Sequence, residues 1–307
     1  MLPPRIILAL LVFIFLLPFT VKSEDHKKVT EYAPFYQLIN EKGITFTLNM
    51  VENLYEQGNL TSDECHLLLH NLGEYASVKL GIQKSMQEAT EICRAGFIHG
   101  LFLSADLSEI NNTEICTRSS FNTPSLRLQC LHGLGHGLAV FFNYNLSPAL
   151  NICKLGENRD DQSACATGVF MEEFSPRAHQ SKPADNRTFE ICDEYDFKPE
   201  CNWYVGIRIL KDNKSLSEGV QECSKAKLEY QSDCERGFGV MAAGRTDYNI
   251  KEIVARCTGF RACLLGAASE FGLSKELFKG LLFCRSISRQ DRRECFMEII
   301  NSYSKHF

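Results

Sequence analysis

Fourteen cysteines arranged in two interleaved series constrain the fold of this chain more than any other feature of its sequence. In the first series a glycine follows the cysteine by three residues, as in C-R-A-G from Cys93, C-L-H-G from Cys130 and C-A-T-G from Cys165. The second series closes short apolar runs, such as P-A-L-N-I-C at Cys153 and I-V-A-R-C at Cys257. Both series recur roughly every 34 residues, which is the period of a two-helix repeat.

Each repeat is predicted to consist of a helix A that ends in one cysteine, a short loop, and a helix B that begins with another. Segments 216–223 and 250–257 have the apolar spacing of short A helices, and segments 169–174 and 296–303 have that of B helices. No segment alternates between apolar and polar residues for long, which argues against a sheet. We therefore expect an all-α fold, an α/α solenoid of about seven disulfide-stapled helix pairs.

The same repeat predicts which cysteines are paired, because the end of helix A lies next to the start of helix B. The expected bonds are Cys116–Cys130, Cys153–Cys165, Cys192–Cys201, Cys223–Cys234, Cys257–Cys263 and Cys284–Cys295, and the remaining Cys65–Cys93 joins the first two B helices. Each short loop closed in this way removes about 2.5–3 kcal/mol of unfolded-state entropy in the loop-closure account. The glycine of each B helix is expected to let neighbouring helices approach closely.

The N-terminal segment predicts export from the cell. Arg5 precedes an apolar run of about fifteen residues, and Val21 and Ser23 stand where a signal peptidase reads small residues. Residues 1–23 are interpreted as a signal peptide cleaved after Ser23, and an uncleaved membrane anchor is the alternative. All cysteines follow this segment, their number is even and no C-x-x-C occurs, which favours disulfides over a zinc ribbon or a redox dithiol. Five N-x-S/T sequons predict a secreted glycoprotein: Asn59, Asn111, Asn145, Asn186 and Asn213.

The mature chain divides into three predicted parts. Residues 24–64 form an N-terminal helical cap, residues 65–175 form histidine-rich helical repeats, and residues 176–307 form further helical repeats. The formal net charge is −5 and no basic stripe is present, so we expect no nucleic-acid partner. We expect a small molecule or peptide as partner, and no membrane-spanning segment once the signal is removed.

Histidines are concentrated in three stretches of the histidine-rich part: C-H-L-L-L-H at residues 65–70, C-R-A-G-F-I-H-G at 93–100, and C-L-H-G-L-G-H-G at 130–137. His66 and His70 are four residues apart and share a helix face, as do His132 and His136. His99 and His136 both stand six residues after a first-series cysteine, so they occupy equivalent positions in their repeats. All five are expected to converge on one surface.

This cluster predicts a metal site. Histidine pairs at this spacing are suitable ligands for zinc, copper or iron, and an oxidised chain offers no thiolate in competition. Glu172, with Glu173 beside it, lies close to the histidine row in the next B helix and is expected to complete the set. The alternative is that the histidines only form hydrogen bonds and pack the helices. The later repeats have Met171 or Val240 at the equivalent position, so the repeat itself does not require histidine there.

Two resemblances accompany these patterns. The pattern of A-L-x-x-C, a loop and C-x-x-G over residues 110–300 resembles the disulfide-stapled helical repeats of some secreted bacterial proteins, which are related to tetratricopeptide repeats. The N-terminal signature, C-H-x-x-x-H followed by H-G and then H-G-x-G-H-G, resembles uncharacterised secreted Cys/His-rich proteins of environmental microbes. The first resemblance implies a helical-repeat fold, and the second implies no particular activity.

The sequence therefore favours a secreted metal-binding protein, with a metal-dependent hydrolase or oxygenase as the enzymatic form of that function. The expected ligands are His66, His70, His99, His132, His136 and Glu172. A non-catalytic scaffold that binds a peptide on a concave helical surface is the main alternative, and bis-histidine haem is a third. The polar loop at residues 175–185, with His179, is interpreted as a solvated insertion, and Trp203 and Tyr204 as packing between repeats.

Overall fold

The computed structural model describes residues 23–105, 107, 114–116, 123–174, 188–212 and 219–304, and contains no strand within these ranges. The α-helices are α1 (Ser23–Lys42), α2 (Ile44–Glu56), α3 (Ser62–Leu80), α4 (Ile82–Gln87), α5 (Ile92–Leu103), α6 (Pro124–Phe141), α7 (Leu146–Cys153), α8 (Arg159–Phe174), α9 (Glu190–Asp193), α10 (Lys198–Asp212), α11 (Gln231–Arg245), α12 (Ile250–Cys257), α13 (Arg261–Leu273), α14 (Leu277–Ser286) and α15 (Arg292–Ser304). The all-α fold class is confirmed.

The B helices pack against one another in chain order. They are α3, α5, α6, α8, α10, α11, α13 and α15, and each has its main contacts with the B helix before it and the one after it. The A helices α7, α12 and α14 lie outside this row, each against the adjoining B helices. Nearest-neighbour packing of this kind is typical of a helical-repeat array, in which each helix pair buries its apolar face only against its neighbours.

All seven expected disulfides are present in the structure: Cys65–Cys93, Cys116–Cys130, Cys153–Cys165, Cys192–Cys201, Cys223–Cys234, Cys257–Cys263 and Cys284–Cys295. The paired Cα atoms are 5.3–5.8 Å apart, within the usual range for a disulfide. The bonds are buried in the core, where each one fixes a B helix. Every bond except Cys65–Cys93 joins its B helix to the segment that directly precedes that helix in the chain. Seven disulfides are typical of a chain that folds in an oxidising compartment.

Several A segments are shorter than the sequence patterns indicate. The predicted α-helix at 216–223 is wrong over its described part, because Val220–Lys225 is a 3₁₀ helix. The A segment before Cys201 has only one α-helical turn, Glu190–Asp193, and that before Cys130 is the 3₁₀ turn Glu114–Cys116. Segments this short cannot repay the cost of nucleating an α-helix. Their disulfides hold them in place instead, so helical periodicity in such a segment does not require an α-helix.

Glycines bring the B helices unusually close. A Cβ atom on Gly168 of α8 would overlap the backbone carbonyl of His132 on α6, and one on Gly100 of α5 would overlap that of His70 on α3. Backbone contact of this kind allows weak Cα–H···O hydrogen bonds between neighbouring helices. Because Gly100 belongs to α5 and the His70 carbonyl to α3, this contact sets the distance between the first two rows of imidazole rings.

The row of B helices curves until its members meet across the interior. The Arg94 guanidinium of α5 contacts the Glu270 carboxylate of α13 at 2.5 Å and the Tyr248 hydroxyl at 3.2 Å. Arg94 extends from a left-handed stretch, since Cys93, Arg94 and Ala95 have φ angles of 48°, 57° and 55°. The arginine side chain therefore joins one of the first B helices to one of the last, across a partly open cavity of about 1200 Å³.

Several sequence predictions fall partly or wholly outside the described residues. The signal segment 1–22, the loop 175–187 with His179, and the sequons at Asn111, Asn186 and Asn213 are among them. Asn59 and Asn145 are described and are exposed, as a glycosylated asparagine must be. None of the described helices has both the length and the apolar character needed to cross a membrane.

Candidate metal centre

The five histidines of the three stretches lie in one cluster, next to the part of the cavity that the first B helices line. His66 and His70 come from α3, His99 from α5, and His132 and His136 from α6. The ring centroids are 4.6 Å apart for His66 and His70 and 4.7 Å apart for His132 and His136. The His99 ring lies between the two pairs, 4.8–5.4 Å from each of the other four rings. The structure thus brings together every histidine that the sequence patterns selected.

Each i, i+4 pair places two imidazole nitrogens face to face. The Nε2 atoms of His132 and His136 are 3.1 Å apart, and so are those of His66 and His70. Two nitrogens bound to one tetrahedral ion at 2.0–2.1 Å would be separated by about 3.3 Å. The observed separations are therefore close to those of paired ligands on a metal.

The second nitrogen of three of these rings is held by a hydrogen-bond acceptor. His66 Nδ1 donates to the Cys93 carbonyl at 2.8 Å, and His136 Nδ1 donates to Glu172 Oε1 at 2.7 Å. His132 Nδ1 donates to the Thr167 hydroxyl at 2.9 Å, because the single Thr167 hydrogen is donated to the Ala164 carbonyl. A neutral ring that carries its proton on Nδ1 presents a lone pair on Nε2. The Nε2 atoms of His132 and His136 therefore face each other with two lone pairs and no proton between them.

His99 offers a further lone pair in the centre of the cluster. Its Nε2 donates to Gln129 Oε1 at 3.0 Å, which leaves Nδ1 as the unprotonated nitrogen of the neutral ring. His99 Nδ1 is buried without a hydrogen-bond partner, and the side chain is 4% exposed. A buried acceptor of this kind is costly, and such a group in a folded protein calls for a partner.

Two overlapping sets of three ligands result from this arrangement. Potential ligand atoms of His66, His70 and His99 lie within 4.8 Å of one another, and so do those of His99, His132 and His136. His99 belongs to both sets. Either set could hold a transition-metal ion, and its three imidazoles would leave a coordination position for water or a ligand.

Glu172 occupies a different place from the one expected of a ligand. Its carboxylate contacts Nδ1 of His136, on the opposite side of the ring from the Nε2 that faces His132. In this position Glu172 orients the ring and fixes its tautomer, as carboxylates commonly do for metal-bound histidines. Glu173 is also buried beside it, but neither carboxylate belongs to the sets of converging ligand atoms among the described residues.

Burial disfavours protonation of the central rings. Desolvation lowers the pKa of His99 well below its usual 6.5, and the four neighbouring histidines lower it further. Desolvation and the neighbouring His136 also lower the pKa of His132 well below 6.5. Both rings are therefore neutral at physiological pH, which is the state that binds a metal.

The cluster is open to the cavity on one side. His66, His99 and His132 form part of its wall, while His136 is only 1% exposed. The rest of the wall is formed by the inward faces of α8, α10, α11 and α13, with side chains such as Met171, Ile207 and Val240. A molecule in the cavity could therefore reach an ion held by the histidines. Tyr204 is buried, in agreement with the expected packing role. Trp203 is only half-buried, and its side chain lines the cavity.

Sequence patterns alone missed the hydrogen-bond partners of the cluster. Gln129 precedes Cys130 and Thr167 follows Cys165 by two residues, so both occupy regular positions on the inward face of a B helix. Their polar character at such positions was the available signal. No sequence pattern indicated the Cys93 carbonyl as a partner, because only the left-handed backbone at Cys93 turns this carbonyl toward His66.

No protein-family model, curated protein or solved structure matches this chain.

Proposed function

We propose that this protein binds a divalent transition metal ion, zinc, copper or iron, through its five-histidine cluster. The observation that carries the proposal is the pair of Nε2 atoms on His132 and His136, 3.1 Å apart with Nδ1 of each ring held as a donor. Two facing lone pairs repel one another unless a cation lies between them. The unpartnered Nδ1 of His99 supplies the third ligand.

A shared proton is the competing cation, and it accounts for less of the cluster. A proton on His136 would complete one N–H···N bond to His132 and an ion pair with Glu172. It would leave the buried Nδ1 of His99 without a partner. It would also place a positive charge among five imidazoles in a site where burial disfavours the charged form. A metal ion satisfies the pair and His99 together.

We further propose that the bound metal is catalytic. Structural zinc sites have four protein ligands and no open position, whereas catalytic sites use three and leave one for water or substrate. Here three imidazoles in each set and a wall open to a large cavity support the second kind of site. Zinc at such a position would serve a hydrolase by lowering the pKa of bound water, and iron or copper would serve an oxygenase.

Metal analysis of the protein, exported and purified without chelators, tests the proposal. We expect at least one transition-metal ion per chain, lost on His132→Ala/His136→Ala with the helical circular dichroism retained. His179→Ala is the matched control, since that residue stands outside the three histidine stretches, and should keep the metal. The metal found distinguishes hydrolase from oxygenase chemistry. A metal-free protein that binds no added Zn²⁺ would instead support a peptide-binding scaffold.

A further inference from the structure

Two carboxylates lie on the part of the cavity wall formed by the later repeats. Glu200 comes from the first turn of α10 and Asp233 from the first turn of α11, and both line the cavity. Trp203 follows Glu200 by three residues on the same helix face and lines the cavity as well. This part of the wall is built from helices other than those that carry the histidines.

Glu200 is buried with only one of its oxygens paired. Its Oε1 accepts a hydrogen bond from the Arg159 guanidinium at 2.5 Å. Its Oε2 is buried with no hydrogen-bond partner, and the residue is only 7% exposed. A buried carboxylate oxygen without a donor is costly, so the native function of this wall should supply one.

Asp233 adds a second negative charge that is poorly neutralised. Desolvation and, to a smaller extent, the negative charge of Glu200 raise its pKa to about 6. Arg236 acts in the opposite direction, but its guanidinium is bound to the Glu298 carboxylate of α15. The group contains the carboxylates of Glu200, Asp233 and Glu298 against the guanidinium groups of Arg159 and Arg236. Within this group the carboxylates outnumber the guanidinium groups by one.

We propose that Glu200, Asp233 and Trp203 form a subsite for the ammonium group of a ligand that enters the cavity. An ammonium ion offers three donors and one positive charge, which are the donor and the counterion that this wall lacks. The indole ring of Trp203 adds a surface on which the cation and its methylene groups can lie. Asp233 is partly exposed and is the carboxylate that an entering cation meets first.

The subsite shares one cavity with the histidine cluster. A space of about 1200 Å³ exceeds the volume of most small-molecule pockets and has room for a short peptide. A basic peptide or polyamine could thus place its ammonium group at Glu200 and Asp233 while another part reaches the histidines. The subsite itself needs no metal, so it can be tested whether or not the cluster binds one.

Trp203 provides the reporter, because it is the only tryptophan in the chain. The full-length protein, treated with chelator, is titrated at pH 7.5 with Nα-acetyl-lysine amide while Trp203 fluorescence and the heat of binding are recorded. At this pH Asp233 is ionised. Nα-acetyl-norleucine amide, which has the same four-carbon side chain without the ammonium group, is the control ligand. We expect saturable binding of the lysine compound and binding of the norleucine compound at least tenfold weaker.

Two variants assign the binding to the carboxylates. Glu200→Gln and Asp233→Asn should each weaken binding of the lysine compound at least tenfold, while Asp196→Asn, on the surface and outside the cavity, should leave it unchanged. Asp233→Asn decides the matter if Glu200→Gln does not fold, because Asp233 is partly exposed. Equal affinity for the two ligands, absence of both heat and fluorescence change, or unaltered binding by Asp233→Asn would overturn the subsite.

Discussion

At the scale of single residues, the chemistry of the cluster depends on which nitrogen of each ring carries the proton. Cys93, Thr167 and Glu172 hold Nδ1 of His66, His132 and His136 respectively. They are the acceptors that leave Nε2 available as a ligand. Because such partners raise the basicity of a ligand and fix its orientation, their loss is expected to matter almost as much as the loss of a ligand.

Glu172→Gln tests this role of a hydrogen-bond partner. The amide keeps the size of the side chain but removes the charge that favours an Nδ1–H on His136. We expect the affinity for Zn²⁺ to fall about 10- to 100-fold with little change in fold, measured by competition with a fluorescent chelator. Asp160→Asn, an exposed change on the same helix, should leave the affinity unaltered. Equal affinities of the wild type and Glu172→Gln would mean that Glu172 only packs against the ring.

The buried histidines also predict how the metal-free protein responds to acid. The folded state lowers the pKa of His99 and His132 below 6.5, so protons bind preferentially to the unfolded chain. Stability should therefore be complete above about pH 6.5 and should fall as the pH decreases from there toward the folded-state pKa values. The expected slope is up to about 1.4 kcal/mol per pH unit for each proton.

Urea denaturation of the metal-free protein at pH 7.5, 6.5 and 5.5 measures this slope. His99→Gln should reduce it, because the glutamine does not titrate. A free energy of unfolding that is unchanged between pH 7.5 and 5.5 would contradict the burial of neutral imidazoles in the cluster.

At the scale of helices, the glycines decide how closely neighbouring B helices approach each other. Gly168→Ala adds a methyl group where the His132 carbonyl of α6 already lies. Alanine gains up to about 1 kcal/mol of helix propensity, but the overlap forces the backbones apart. We expect a net loss of about 1–3 kcal/mol in the free energy of unfolding and weaker metal binding. Ser163→Ala on the same helix is the control, and a stabilised Gly168→Ala would contradict the close contact of α6 and α8.

The disulfide register and the all-α fold could be predicted from the sequence because both depend on local spacing. Cysteines that end one helix and begin the next are close in space whatever the rest of the fold does. The convergence of His66, His70, His99, His132 and His136 followed from the same repeat. The helical state of the segment before Cys234 could not be predicted, because a disulfide holds it as a 3₁₀ turn and so overrides the periodicity.

At the scale of the whole molecule, long-range closure creates the cavity, and no local pattern encodes it. Arg94 meets Glu270 across 176 positions of sequence, and the Gly244 backbone leaves room for the guanidinium. In helical-repeat arrays such curvature is the sum of small rotations between successive helix pairs. For this reason the cavity wall, including Glu200 and Asp233, became visible only in the structure.

Arg94→Met tests whether the contact between Arg94 and Glu270 holds the two ends of the row of B helices together. It removes the charge that neutralises Glu270, a residue with only 4% of its side chain exposed. We expect a loss on the order of 3 kcal/mol in the free energy of unfolding, because a buried carboxylate is left without its partner. Arg94→Met/Glu270→Gln should recover part of this loss, and Arg245→Met, which also alters a cavity arginine, should cost less. Equal stability of Arg94→Met and the wild type would mean that the ends of the row are held together by other contacts.

The central claim is that imidazoles of the five-histidine cluster hold a transition metal, and X-ray absorption at the metal edge tests it most directly. The metal-loaded protein should show a first shell of nitrogen and oxygen at about 2.0–2.1 Å. At least three imidazole rings should contribute outer-shell scattering, and no sulfur shell should appear, since all described cysteines are in disulfides. A sulfur shell near 2.3 Å, or one imidazole or none, would contradict the account.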